Sequence, residues 1–227
     1  MGHEFDRYAS DYDAALNQGL KLTGESRDFY AQRRVTITRD LCQRFAVKPR
    51  RVLDFGCGTG ATLPLLRTAF PDAEIIGLEP SAASRAIAER DTGLRCYAGD
   101  ELPADFRADL IYCNGVFHHI PPAERLAALR IIARALAPEG VFCLWENNPA
   151  NPGTRWVMSR IPFDRDAVTL WPREARALGG AVNWRVLATS FHFYFPKALQ
   201  RLRSLERFLV RIPLGGQYLV VFRPARR

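Results

Sequence analysis

An α/β architecture built on a parallel sheet is the fold class the sequence predicts, on three observations. From Arg50 onward, short β-branched or aliphatic runs alternate with amphipathic helical stretches, the rhythm of strands joined by crossover helices. The first of those runs leads straight into a glycine-rich turn. The chain has 227 residues, 48% hydrophobic and 25% charged, which suits one domain of α/β size and excludes a disordered or fibrous protein.

The elements follow in order. Residues 1–45 precede the sheet and carry aromatic side chains at Phe5, Tyr8, Tyr12, Phe29 and Tyr30, spaced for two helices that form either a lid or a further packing layer. Strands are expected at 51–55, 74–78, 94–97, 109–113 and 140–145, with helices after Gly60, Ser81 and Pro122. In the third helix Pro121 and Pro122 pre-set the first turn, and Leu126, Leu129, Ile132, Ala133 and Leu136 recur at helical spacing until Pro138-Glu139-Gly140 stops it. After Glu146 the rhythm changes. Residues 147–153 are turn chemistry, and 184–195 and 217–222 read as strands. Between those strands Leu199, Leu202, Leu205, Leu209 and Ile212 mark an apolar helix face with arginines opposite, expected to pack on the sheet, with weak contact at a membrane surface as the alternative.

Composition narrows the setting. No apolar stretch approaches the roughly 18 to 20 residues of a membrane span, and the first residues lack the basic start and apolar run of a signal peptide, so a cytoplasmic location is expected. The five cysteines are scattered and never form a C-x-x-C pair, which argues for reduced, buried thiols and against a disulfide framework or a zinc site. Net charge is +8, and every basic residue except Lys21, Lys48 and Lys197 is arginine, which suits carboxylate, phosphate or an anionic surface.

The informative segment is residues 51–61, Arg-Val-Leu-Asp-Phe-Gly-Cys-Gly-Thr-Gly-Ala: a hydrophobic strand, an acid near its end, then three glycines opening a helix. Glycines let the backbone turn sharply and approach a ligand, and a helix N-terminus offers unpaired N–H groups to an anion. Gly56, Gly58 and Ala61 match the dinucleotide pattern, and Glu79, at the end of the next strand, suits a ribose diol. Asp54 tilts the choice. A carboxylate there would face the pyrophosphate of a dinucleotide but would attract an ammonium, and an amino acid joined to a nucleoside supplies ammonium, carboxylate and ribose together.

Val52-Leu-Asp-Phe-Gly-Cys-Gly-Thr-Gly60 resembles motif I of the class I S-adenosylmethionine-dependent methyltransferases, and further motifs follow in the family's order. Ile76-Gly-Leu-Glu79-Pro-Ser81 is similar to the acidic second-strand loop, Gly99-Asp100 to the third-strand adenine contact, Cys113-Asn-Gly-Val-Phe-His-His119-Ile to the fourth-strand signature, and Leu136-Ala-Pro-Glu-Gly140 to the turn into strand five. The resemblance covers about residues 50–146, with 1–45 as a helical lid and 147–227 as the substrate side of one domain. It implies a Rossmann-like, seven-stranded, mostly parallel sheet with helices on both faces and an antiparallel C-terminal strand. It also implies S-adenosylmethionine as cofactor. Gly56 and Gly58 would line the methionine moiety and Asp54 would attract its ammonium. Glu79 would take the ribose hydroxyls, Pro80 would flank adenine, Asp100 would accept from the adenine amino group, and backbone near Cys113 and Asn114 would serve the methionine end. The crossover from Asp100 to Arg107 is short, which leaves Glu101 as an alternative to Asp100.

The methyl donor is an activated sulfonium, so alignment of an acceptor lone pair and exclusion of water are the main demands. An oxygen acceptor usually needs a base. His118 and His119 follow the fourth strand, and Glu146 stands at the end of the fifth, with capping of the following Asn-Pro loop as its alternative role. His192 reads as a strand residue satisfied by a neighbour, and Tyr12, Tyr30 and Arg34 could reach the site from a lid. Asn114-Gly-Val-Phe117 lacks the motif of DNA base methylation, no RNA-binding domain fits the length, and aromatic residues near both ends favour an aromatic, apolar, or lipid- or sugar-linked small acceptor. The expected activity is methyl transfer to an oxygen or nitrogen of a small molecule by in-line displacement. The alternatives are a nicotinamide-dependent oxidoreductase and an inactive methyltransferase-like partner subunit.

Overall fold

The structure is a computed structural model that describes residues 23–99, 101–161 and 167–225. Its centre is a seven-stranded sheet in the order β3-β2-β1-β4-β5-β7-β6. β1 (Arg51–Phe55), β2 (Glu74–Leu78), β3 (Cys96–Tyr97), β4 (Ala108–Asn114) and β5 (Leu136–Asn147) run parallel, while β7 (Gln217–Pro224) lies antiparallel between β5 and β6 (Trp184–His192). The inner strands are buried on both faces, which is why they read as continuous apolar runs.

The alternation of side chains divides the core in two. Val52, Ile75, Leu110, Tyr112 and Trp145 face one layer, where α1 (Arg27–Arg44), α2 (Leu63–Ala69) and α3 (Ala82–Thr92) supply Val35, Leu63 and Ala88. Leu53, Ile76, Ile111, Phe142 and Val220 face the other, where α4 (Arg125–Ala135) and α6 (Pro172–Ala181) supply Leu129, Ile132 and Ala175. Local chemistry sets the helix starts: Ser26 accepts from the Phe29 N–H, Ser81 from the Ser84 N–H, and Asn151 from the Thr154 N–H at the start of α5 (Pro152–Met158).

Four local expectations change. The strand expected at 94–97 begins only at Cys96, because Gly93 caps α3 in the left-handed conformation (φ 66°) and Leu94 N–H donates to Thr92 Oγ1. Pro138-Glu139-Gly140 does not stop α4, the third helix of the expectation. That helix ends at Ala135, and β5 starts at Leu136, which pairs with Ala108 ahead of an irregular step in the ladder. Gly140 is needed at that step, since a Cβ there would stand 2.9 Å from the Ala108 carbonyl oxygen and 3.0 Å from that of Asp109. β6 ends at His192, three residues short of the expected 195, where Phe193 turns to φ 63°. The segment expected to pack its leucines on the sheet is a 3-10 helix, Lys197–Leu205, running into the single turn α7 (Glu206–Leu209), and Leu199, Leu202 and Leu205 are exposed.

The order of strands reverses direction between β1 and β4. That is the switch point at whose carboxyl-end crevice open α/β sheets bind ligands. α1 is fixed beside it by two buried bonds: Trp145 Nε1 donates to Thr38 Oγ1 at 3.1 Å, and Arg34 Nε to the Tyr112 hydroxyl at 3.3 Å. Among the described residues no helix is long and apolar enough to cross a membrane.

Candidate active site

The turn after β1 uses its glycines for two purposes. Gly56, Gly58 and Gly60 all have positive φ, at 75°, 54° and 85°. A Cβ on Gly56 would lie 2.4 Å from Val116 Cγ2, and one on Gly60 2.8 Å from Ala88 Cβ, so these two let the turn pack against its neighbours. Gly58 is different: a Cβ there would meet nothing within 4 Å. It borders open space, and its N–H donates to Glu79 Oε2 at 3.0 Å. Gly58→Ala is accordingly expected to fold, with the left-handed penalty of about 1 to 2 kcal/mol lowering the melting temperature by roughly 2 to 8 °C in a thermal scan.

Glu79 is buried at the end of β2, and its other oxygen accepts the Ser81 N–H at 2.9 Å. Pro80 is exposed, its carbonyl held by Arg85 Nη1 at 2.9 Å. Asp54, on β1 opposite Gly77 of β2, is only 3% exposed, and its Oδ2 has no hydrogen-bond partner. Burial raises its pKa to about 7, the neighbouring Glu79 carboxylate adds to the rise, and Arg34 opposes it. Asn114, at the carboxyl end of the adjacent β4, likewise buries an Oδ1 without a partner. Two orphaned acceptors, one of them a carboxylate, at the switch point beside a glycine turn form a site chemically fitted to an ammonium.

A second constellation stands at the ends of β4 and β5. Glu146, 1% exposed, accepts the Phe117 N–H on Oε1 at 2.8 Å, and its Oε2 lies 2.6 Å from His118 Nδ1. The His119 ring packs on the His118 ring with centroids 4.1 Å apart. Glu146 does not cap the Asn-Pro loop. Asn148 does so instead, donating to the carbonyls of Pro213 and Gly215 and accepting the Ala150 N–H. A carboxylate on Nδ1 fixes the tautomer in which Nε2 is the basic nitrogen, the arrangement that orients a general base.

His118, His119 and Asn114 line a cavity of about 410 Å³, the size of a small-molecule site. Tyr30 and Arg34 from α1 also line it, with Arg33, Trp156, Phe193 and Gln217. Arg34 is 7% exposed, and its two hydrogen bonds go to neutral oxygens, the Tyr112 hydroxyl and Gln217 Oε1 at 3.0 Å. No carboxylate among the described residues forms an ion pair with it, which suits Arg34 to receive an anionic group.

The structure therefore gathers Asp54, Gly56, Gly58, Glu79 and Asn114 around the switch point, and His118 and His119 at the cavity, with Glu146 buried against His118. Cys113 is fully buried in β4 with its thiol pKa raised well above the ordinary range by burial, so only its backbone is available to a ligand. His192 is a strand residue, bonded to Ser190 Oγ through Nε2 at 2.8 Å, with a pKa lowered to about 4 by burial. Asp100 and Tyr12 lie outside the described residues, while Glu101 accepts the Ala98 N–H at 2.9 Å in the intervening turn. The cavity residues Arg33, Trp156, Phe193 and Gln217 had no signal in the sequence, since they come from elements far apart in the chain.

Comparison with known proteins gives the family and the fold. The family described as "Methyltransferase domain" matches residues 29–204. The chain is 36% identical over 194 residues to a trans-aconitate 2-methyltransferase of Variovorax paradoxus, covering 83% of this chain and 62% of that protein. It is 34% identical over 192 residues to a protein of the same name from Methylobacterium nodulans, covering 82% of this chain and 66% of the other. The chain thus spans just under two thirds of the length of these relatives. Among solved structures, a TehB-like methyltransferase from Corynebacterium glutamicum shares the fold, with a TM-score of 0.61 at 17% identity over 96% of this chain and 99% of that one.

Proposed function

The chain belongs to the class I S-adenosylmethionine-dependent methyltransferases, and from that premise we propose that it moves a methyl group to an oxygen of a small acceptor held in the 410 Å³ cavity. The observation that carries this reading is the 2.6 Å contact of Glu146 with Nδ1 of His118, which lines the cavity. When bound, the cofactor supplies an activated sulfonium methyl. Asp54 and Asn114 would hold its ammonium, Gly56 and Gly58 its methionine chain, and Glu79 its ribose hydroxyls. His118 accepts the acceptor's proton at Nε2 as the oxygen attacks, and Glu146 stabilises the imidazolium so formed. His119 closes one side of the ring pair, and the surrounding aromatic side chains exclude water. The reading is tested by turnover on a panel of hydroxylated small molecules, where a methyl ether product supports it. Failure across the panel, with S-adenosylhomocysteine still bound, overturns the acceptor assignment.

Asp54 gives cofactor binding a pH signature. An ammonium beside the carboxylate favours its ionised form, so below a pKa of about 7 binding must displace a proton. Affinity for S-adenosylhomocysteine is expected to rise with pH, by up to about tenfold per unit, and to level off near pH 7. The ligand-free fold behaves in the opposite sense. A carboxyl whose pKa is raised on folding from 3.8 to about 7 contributes stability that is full below the lower value and lost as pH climbs through the upper one. Asp54→Asn removes both dependences, as calorimetric titrations across this range would show.

A carboxylate acceptor is the second reading, favoured by Arg34 with Arg33 in the cavity and by relatives named for a carboxylic acid. A carboxylate oxygen is already deprotonated and needs no base, so sensitivity to His118 separates the two acceptors.

A further inference from the structure

Residues 197–214 carry an exposed apolar row. With three residues per turn, side chains three apart in a 3-10 helix stand in line. Beyond a kink at Leu199, three rows follow. Arg203 and Glu206 face the body of the protein. Arg203 pairs with Glu25 at 2.8 Å and donates to the Phe195 carbonyl, and the buried Glu206 accepts the N–H groups of Tyr194 and Phe195. Arg201 and Arg207 form an exposed basic row. Leu202, Leu205 and Phe208 form an exposed apolar row at 40%, 47% and 68%, continued by Ile212 and Leu214 at 42% and 59%.

Polar contacts thus anchor this segment, and its leucines point away from the core. Lys197, Arg201, Arg203, Arg207 and Arg211 stand against a single acid, Glu206, whose carboxylate is buried. An apolar ridge beside a basic row is the pattern that lies in the headgroup region of an anionic bilayer: arginines meet lipid phosphates and the apolar side chains enter the acyl boundary. We propose that residues 197–214 dock the protein on an anionic lipid surface. Phe195, Pro196, Arg203 and Glu206 also line the cavity, so docking holds the cavity rim at that surface. This inference stands apart from the methyl-transfer reading, since lipid binding requires neither cofactor nor acceptor.

Sedimentation of the full chain with vesicles tests it. At low salt the protein is expected to pellet with phosphatidylcholine vesicles containing phosphatidylglycerol and far less with phosphatidylcholine alone. Arg201→Gln with Arg207→Gln should lower the partition coefficient about 30-fold, and added salt should act in the same direction. Leu202→Ser with Phe208→Ser leaves the charge intact and should lower binding by at least about tenfold, since it removes the inserted apolar area. Melting temperatures of both variants serve as the folding control. Binding that ignores the Leu202→Ser and Phe208→Ser change overturns the proposal, because it would then be the adhesion of any basic protein. Absence of vesicle binding overturns it too, as does a homodimer in light scattering that the same two substitutions dissociate.

Discussion

His118→Ala is expected to lower turnover on a hydroxyl acceptor by about two to four orders of magnitude, the usual worth of a positioned general base. Affinity for S-adenosylhomocysteine should stay within about threefold, because the His118 side chain is assigned no contact with the cofactor. His118 faces the cavity from a 3-10 turn, Phe117–His119, and Glu146 on β5 fixes its ring. Glu146→Gln should give a loss of comparable size in the same parameter. If the amide oxygen keeps the Phe117 N–H, its NH2 group donates to Nδ1, which leaves the proton on Nε2 and removes the base. Steady-state kinetics on one acceptor, with kcat and KM separated, provide the check. A full rate in His118→Ala together with Arg34→Gln sensitivity would assign the acceptor as a carboxylate.

Glu79→Ala is expected to weaken S-adenosylhomocysteine by roughly 100- to 10,000-fold, from the loss of two charge-assisted hydrogen bonds to a ribose diol at about 1.5 to 3 kcal/mol each. Part of that loss is indirect. Glu79 already accepts from the N–H groups of Gly58 and Ser81, so its removal also releases the glycine turn that the ligand must meet. Glu79→Gln keeps the shape and should retain more affinity than the alanine. A second consequence is electrostatic: Glu79 helps hold the Asp54 pKa up, so in Glu79→Ala the pH at which residual binding levels off should move below that of the parent. Calorimetry at several pH values measures both effects. Unchanged affinity in the alanine variant would place the ribose elsewhere.

The parts of this molecule readable from sequence are those set by short-range chemistry. An acid near a strand end, glycines at positive φ and a serine cap after β2 all act within a few residues, so the turn at 54–60 and the Glu79 loop could be placed by pattern. The pairing of Glu146 with His118 was hidden because it depends on the β4–β5 register, in which Asn114 stands opposite Trp145. Arg34 was only a suggestion until α1 placed it against Tyr112 and Gln217, 78 and 183 residues away. The 197–212 segment shows a different limit. Apolar spacing marked a face correctly, but spacing does not say which face the rest of the protein will hold, and here buried polar bonds outcompete leucine packing. At β5 a proline and a glycine have the pattern of a helix stop, whereas Gly140 accommodates an irregular step near the start of a strand.

The division of labour along the chain has a consequence for how such a protein can change. The groups suited to the cofactor fall between Asp54 and Asn114, whereas the cavity walls come from 23–34 on one side in sequence and 147–217 on the other, joined to the centre by His118 and Glu146. Mutations in those flanking walls therefore fall outside the stretch proposed to hold the donor, Asn114 being the residue the two share, and the two can drift at different rates. A lineage can trade one acceptor for another without passing through a form that has lost its methyl donor, and grafting both flanking segments from a relative should transplant acceptor preference as a unit.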